Sequence, residues 1–134
     1  MSVPHKRFLL LQHFHFVTDA PVLTIPQTFY SINKGNDVTL TCTVVAYPTI
    51  TSVTWYKNGA ALDATSSKYS GATASIPSLT ITSVEVADAG NYTCQATNQV
   101  AFSSGEVINL TVTCEFIPPN MIIVCSENLC ILFF

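Results

Sequence analysis

Asp88-Ala89-Gly90-Asn91-Tyr92-Thr93-Cys94 is the stretch on which the fold turns, because it sets an acid, a glycine, a tyrosine and a cysteine at alternate positions. Alternate residues of a strand share one face. Tyr92, Cys94 and the following Ala96 therefore form an apolar face, while Asn91, Thr93 and Gln95 form a polar one. One buried face and one wet face is the pattern of an antiparallel sheet packed on a core. Outward from this stretch the same alternation recurs in Val38-Leu40-Cys42-Val44, Val53-Trp55, Ile76 with Leu79-Ile81, and Ile108-Leu110-Val112. Turn residues punctuate the runs: Pro21, Pro26, Gly35, Pro48, Asn58-Gly59, Gly71, Pro77, Gly90 and Gly105. Short strands at this density indicate a sandwich or a barrel. The scarcity of helix formers beside many β-branched residues makes the class all-β.

The chain has 134 residues, enough for one domain and too few for a second full core. Charged residues make up 10% and the net charge is -3, so the surface carries no basic stripe for a phosphate backbone and no like-charge block of a disordered tail. Nucleic acid is thereby excluded as an expected partner.

Cys42 and Cys94 stand 52 positions apart, Trp55 follows the first by 13, and Tyr92 precedes the second by two. This Cys, Trp, Tyr, Cys arrangement resembles the immunoglobulin superfamily. The resemblance implies a Greek-key β-sandwich of two antiparallel sheets, bridged by a Cys42–Cys94 disulfide that packs on Trp55, with the Tyr92 hydroxyl returning to backbone at a corner and Leu79 in the core. The spacing is short for a variable-type domain, and an intermediate-type (I-set) domain fits better. Residues 20–27 (APVLTIPQ), 34–42 (KGNDVTLTC), 67–71 (SKYSG) and 77–81 (PSLTI) are similar to invertebrate hemicentin-like repeats. The likeness covers roughly residues 20 to 113, so the domain is placed at 20–114. The resemblance also implies an ion pair between Lys68 and Asp88, linking the end of one sheet to its neighbour. The alternative for Cys42 and Cys94 is two buried thiols, as in intracellular muscle immunoglobulin domains, and the compartment decides between them.

Two departures from the family stand out. A glycine is usual in the turn after Asn98, where this chain reads Gln99-Val100-Ala101; alanine is strained at positive φ, so a longer or differently turned hairpin is expected. Cys114, beyond the final strand, has Cys125 and Cys130 as candidate partners, and five cysteines leave at least one unpaired within the chain.

Both ends differ from the domain between them. Residues 1–19 open with His5-Lys6-Arg7 and the apolar Phe8 to Leu11, which reads as a signal-like or artefactual leader, since Gln12, His13 and His15 interrupt the apolar run. Residues 115–134 form an apolar tail after Pro118-Pro119, read as truncation or read-through and expected to be disordered or loosely held. Ser126-Glu127-Asn128 splits it into runs far short of the roughly 20 apolar residues of a membrane span.

Sites follow from the same pattern. Asn91-Tyr92-Thr93 and Asn109-Leu110-Thr111 are glycosylation acceptor patterns whose asparagines fall out of phase with the buried residues. Asn109 is the stronger candidate, because Asn91 is partly dictated by the surrounding motif. Residues 46–52 and 98–104 are expected as loops at one end, offering Tyr47, Ile50, Val100 and Phe102 as contacts; the alternative is that these pack on one another or on a neighbouring repeat. His5, His13 and His15 all precede the domain, so no Ser-His-Asp arrangement is available, the scattered carboxylates form no acid–base pair, and no enzyme is expected. His13 and His15 alone fall short of a zinc site, and no metal or cofactor is expected. The sequence thus reads as a non-enzymatic, extracellular or secreted adhesion or matrix-assembly module with protein partners, homophilic, heterophilic or neighbouring repeats. The alternatives are an immune-type recognition domain and an intracellular muscle-type repeat.

Overall fold

The computed structural model describes residues 18–114, together with the backbone of residues 122–126 and 129–133. The leader, with its three histidines, lies outside the described residues apart from its last two positions. In chain order the strands are β1 (Asp19–Thr24), β2 (Phe29–Asn33), β3 (Val38–Leu40), β4 (Thr43–Tyr47), β5 (Ser52–Lys57), β6 (Ala60–Ala61), β7 (Tyr69–Gly71), β8 (Leu79–Ile81), β9 (Gly90–Thr97), β10 (Phe102–Ser104), β11 (Ile108–Thr113), β12 (Ile122–Ser126) and β13 (Leu129–Phe133). A 3-10 turn, Val86–Asp88, precedes β9.

Alternation in sequence becomes alternation in burial. In β9, Tyr92, Cys94 and Ala96 are buried and the residues between them are exposed or half-buried. That strand is central to one layer, ordered β2-β11-β9-β5-β6, with β10 also paired to β9. The opposing layer consists of β1-β4 and β3-β8-β7. Val38, Leu40, Leu79 and Ile81 from one layer meet Trp55, Tyr92, Cys94, Ile108 and Leu110 from the other in a single buried cluster. Each such large side chain, fully withdrawn from water, contributes roughly 1.5–3 kcal/mol. The chain passes between layers after β1, β2, β4, β6 and β8, which gives the sandwich its Greek-key connectivity.

Three details depart from the sequence expectation. β2 runs parallel to β11 over five residue pairs, so the layers are not wholly antiparallel. Ile76 is 61% exposed and not part of the inward row. Its carbonyl accepts from Thr73 N and its amide donates to Thr73 Oγ1, so a local turn ahead of Pro77 delays the strand until Leu79. The run from Val38 to Tyr47 is broken at Thr41 and Cys42, where side chains replace the ladder: Thr41 N donates to Tyr30 Oη at 3.2 Å, and Cys42 N to Ser78 Oγ at 3.0 Å. Within the tail, expected to be disordered or loosely held, β12 and β13 pair as an antiparallel hairpin with Cys125 opposite Cys130. Its Ile, Val, Leu and Phe are strong strand formers, and only two residues separate the strands.

Turn chemistry closes the connections. Asn58 (φ 49) and Gly59 (φ 83) link β5 to β6 in the two-residue Asn-Gly manner. Gly71, at φ 76, lies so close to the Ser78 carbonyl that a Cβ there would collide with backbone.

Candidate functional site

The sandwich is pinned at its centre. Cys42 and Cys94 are disulfide-bonded, with their Cα atoms 6.6 Å apart. Trp55 sits directly opposite Cys94 in the β5–β9 ladder, so its indole shares the inner face with the bridge. It reaches the other layer by donating from Nε1 to the Pro77 carbonyl at 2.8 Å. Tyr92 is fully buried, and its hydroxyl donates to the Asp88 carbonyl at 2.6 Å, which is the expected corner. Leu79 is buried as well. Asp88, only 6% exposed, accepts from Glu85 N and pairs with Lys68 Nζ at 2.8 Å.

Burial, followed by the negative charge of Asp88 and then Tyr69, pushes the Tyr92 hydroxyl well above its ordinary value of 10.0. For Lys68, burial pulls the ammonium down. The hydrogen bond and charge of Asp88, with Glu85 and Tyr69 further off, outweigh it and leave the pKa above 10.5. Both groups have folded values raised over unfolded ones. Their contribution is therefore complete below about pH 10 and is lost as pH climbs through the folded values. Stability is expected to fall above about pH 10, with tyrosinate absorbance from Tyr92 appearing only as the sheet signal in circular dichroism disappears. Ionisation of all five tyrosines with that signal intact would contradict the buried setting of Tyr92.

At one end of the sandwich the two expected loops do meet, through a residue the sequence did not single out. Asn98 is 5% exposed. Its Nδ2 donates to Asp19 O at 2.7 Å and Pro48 O at 3.1 Å, and its Oδ1 accepts from Val100 N at 2.9 Å and Ala101 N at 3.0 Å. One amide thus ties together the start of β1, the β4–β5 loop and the β9–β10 turn. Glycine is not needed there. Among the described residues, positive φ outside glycine falls at Asn58, Ala72 and Ser83, so residues 98–101 make this turn without the positive φ that glycine would supply. Asparagine's habit of capturing nearby backbone amides in turns was the available signal. Replacing Asn98 with alanine orphans several of these groups and is expected to lower stability by about 1–3 kcal/mol, with faster amide exchange at Val100 and Ala101 as the local readout.

Around this clamp the proposed contact residues separate. Tyr47 is 58%, Val100 50% and Phe102 65% exposed, whereas Ile50 is half-buried. Tyr47 ends β4 and Phe102 begins β10, so both stand on strand ends and not within loops. Ile50 instead lines an open cleft of about 460 Å³, with Cys42, Val44, Ala46, Ser75 and Pro77. A further apolar pair, Val22 at 62% and Val45 at 71% exposure, faces outward across β1 and β4; the sequence reading did not distinguish it, because both lie in short apolar runs.

Asn91 is exposed and Asn109 half-buried, both on the outer face of the larger layer, as their phase required. They are directly opposed in the β9–β11 ladder. Cys114 is disulfide-bonded. Among the described residues no group of three or more His, Cys, Asp or Glu is placed to hold a metal ion, and no helix is long and apolar enough to cross a membrane.

A profile of the immunoglobulin domain family matches residues 20–98. Human neural cell adhesion molecule 1 is 39% identical over 93 residues, which is 66% of this chain and 10% of that protein. A peroxidasin homolog of Caenorhabditis briggsae is 32% identical over 119 residues, 89% of this chain and 9% of that protein. The chain thus spans about a tenth of the length of these relatives. Among solved structures, the tandem Ig repeats of Dlar superpose with a TM-score of 0.65 at 29% identity, over 73% of this chain and 51% of that one. Titin M4 gives a TM-score of 0.62 at 29% identity, over 72% and 99% respectively. The hemicentin-like resemblance is not confirmed by these relatives. With its bridged, tryptophan-packed sandwich and its tyrosine corner, the chain belongs to the immunoglobulin superfamily.

Proposed function

We propose that this chain is a non-enzymatic, extracellular immunoglobulin domain serving adhesion or matrix assembly by binding proteins through its surface. The observation that carries the reading is the closed Cys42–Cys94 bridge, since disulfides persist in oxidising compartments and are rare in the cytosol. Two acceptor asparagines on an outer face are in keeping with the same compartment. The names of the relatives support the function: the neural cell adhesion molecules are adhesion proteins by title. The contact surface is the Asn98-clamped end of the sandwich, where Tyr47, Val100 and Phe102 are exposed. Apolar side chains held outward on a fixed frame are what a protein partner buries. That partner is a protein on another surface, a second copy of the domain, or the adjoining repeat of a longer chain.

A second reading, an intracellular muscle-type structural repeat, requires two thiols at Cys42 and Cys94 and no sugar; the fold is shared with titin M4. Thiol titration of denatured, unreduced native protein, combined with the mass change on deglycosidase treatment, separates the two. For the surface, beads carrying the secreted domain are tested for clustering and for capture of cells, beside beads carrying Tyr47→Ser and Phe102→Ser. Several-fold weaker adhesion of the variants is expected; adhesion unchanged by both would remove this end of the sandwich from the function.

A further inference from the structure

On the outer face of the larger layer a row of three side chains crosses the strands: Phe29 on β2, Asn109 on β11 and Asn91 on β9. Asn109 is paired with Phe29 on one side and with Asn91 on the other. Asn58 lies against Asn91, its backbone amide donating to Asn91 O at 2.8 Å and its Oδ1 accepting from Asn91 N at 2.9 Å. The two acceptor asparagines therefore stand side by side in the row, with Phe29 beyond Asn109. They are also bonded to each other: Asn109 Nδ2 donates to Asn91 Oδ1 at 3.0 Å.

Directly opposed residues of an antiparallel pair have Cβ atoms only about 4.5–5.5 Å apart. A sugar ring with its hydroxyls is as wide as that gap. Two glycans rooted on these amides would crowd the same space, and one on Asn109 cannot lean away, because Phe29 stands beyond it. The amides are not equivalent. Asn109 spends its Nδ2 on the cross-strand bond, whereas Asn91 contributes only its oxygen and is the more exposed of the two. A sugar joined to Asn91 Nδ2 leaves the bond in place, and a sugar joined to Asn109 Nδ2 grows toward Asn91.

We propose that Asn91 and Asn109 constitute one glycosylation site with room for a single glycan, carried by Asn91 in the folded domain. This reverses the preference for Asn109 drawn from the sequence, and it rests on the extracellular reading, since the transfer takes place in the secretory pathway. The linkage forms between the asparagine amide nitrogen and the anomeric carbon of a lipid-linked oligosaccharide; the nitrogen loses a proton and the lipid pyrophosphate departs.

The test is the intact mass and glycopeptide map of the domain secreted from a mammalian host, beside Thr93→Val and Thr111→Val. Each substitution abolishes one acceptor pattern yet keeps its asparagine and a β-branched strand residue. Circular dichroism confirms folding of each secreted product. The expected result is one glycan on Asn91 in the wild type and in Thr111→Val, and one glycan on Asn109 in Thr93→Val. Two glycans on folded wild-type protein overturn the single-site inference and leave the extracellular reading standing. A bare Thr93→Val also overturns it, since Asn109 would then be silent and not excluded. A wild-type glycan on Asn109 overturns the choice of Asn91. Complete absence of sugar from all three overturns this inference together with the support that glycosylation gives to the compartment.

Discussion

Replacing Cys94 with alanine lowers the free energy of unfolding by about 4 kcal/mol, the loop-closure entropy of a bridge whose ends are 52 residues apart. For a domain whose total stability is typically about 5–15 kcal/mol, that is a large fraction. In urea the midpoint is expected to move by about 2 M, taking the usual slope for a small protein. Reducing the wild-type bridge under mild denaturant should produce nearly the same curve. The comparison separates the covalent constraint from the packing of the sulfur, because reduction restores two thiols where the substitution removes one. Coincident curves for oxidised, reduced and substituted protein would show that the bridge contributes nothing to the native chain.

The second large effect is at Trp55, 1% exposed and opposite Cys94. Trp55→Ala is expected to cost about 3–5 kcal/mol, the range for removing a large aromatic from a packed core. Trp55→Phe divides that loss. It keeps most of the ring but leaves the Pro77 carbonyl without its donor, at a cost of about 1–3 kcal/mol. Trp55 is the sole tryptophan, so these variants are followed by circular dichroism and not by fluorescence. Because the indole and the bridge touch the same core, Trp55→Ala and Cys94→Ala together should cost less than the sum of the two. Strict additivity would mean that the tryptophan does not pack on the bridge.

Much of this architecture was legible in the chain because its core is built by strict alternation. Tyr92, Cys94 and Ala96 alternate with polar residues in sequence and are buried in the structure for the same reason, a period of two set by the pleat. The Lys68–Asp88 pair and the Tyr92 corner followed from family resemblance and are present. Features that escaped notice depend on contacts between residues distant in sequence. Asn98 reads as one more turn asparagine, yet its amide joins Asp19 and Pro48, 79 and 50 positions away. Nothing in the alternation marks Ser78 or Tyr30, yet they complete the hydrogen bonding of the interrupted strand at Thr41 and Cys42. Ile76 fits the apolar period but falls in a turn, because Pro77 and the Thr73 hydroxyl make a local closure more favourable than another ladder pair. The opposition of Asn91 and Asn109 needs the register of β9 on β11, which spacing alone does not supply.

The Asn98 clamp bears on how an incoming surface would be met. Backbone from three separate segments converges on one withdrawn amide, so this tip enters an encounter already in its final contour, and little motional freedom remains to be surrendered on contact. Side chains at Thr49, Gln99 or Val100 can then be exchanged without redrawing the contour. A rim of this kind lets recognition diversify through its decoration while its shape is inherited.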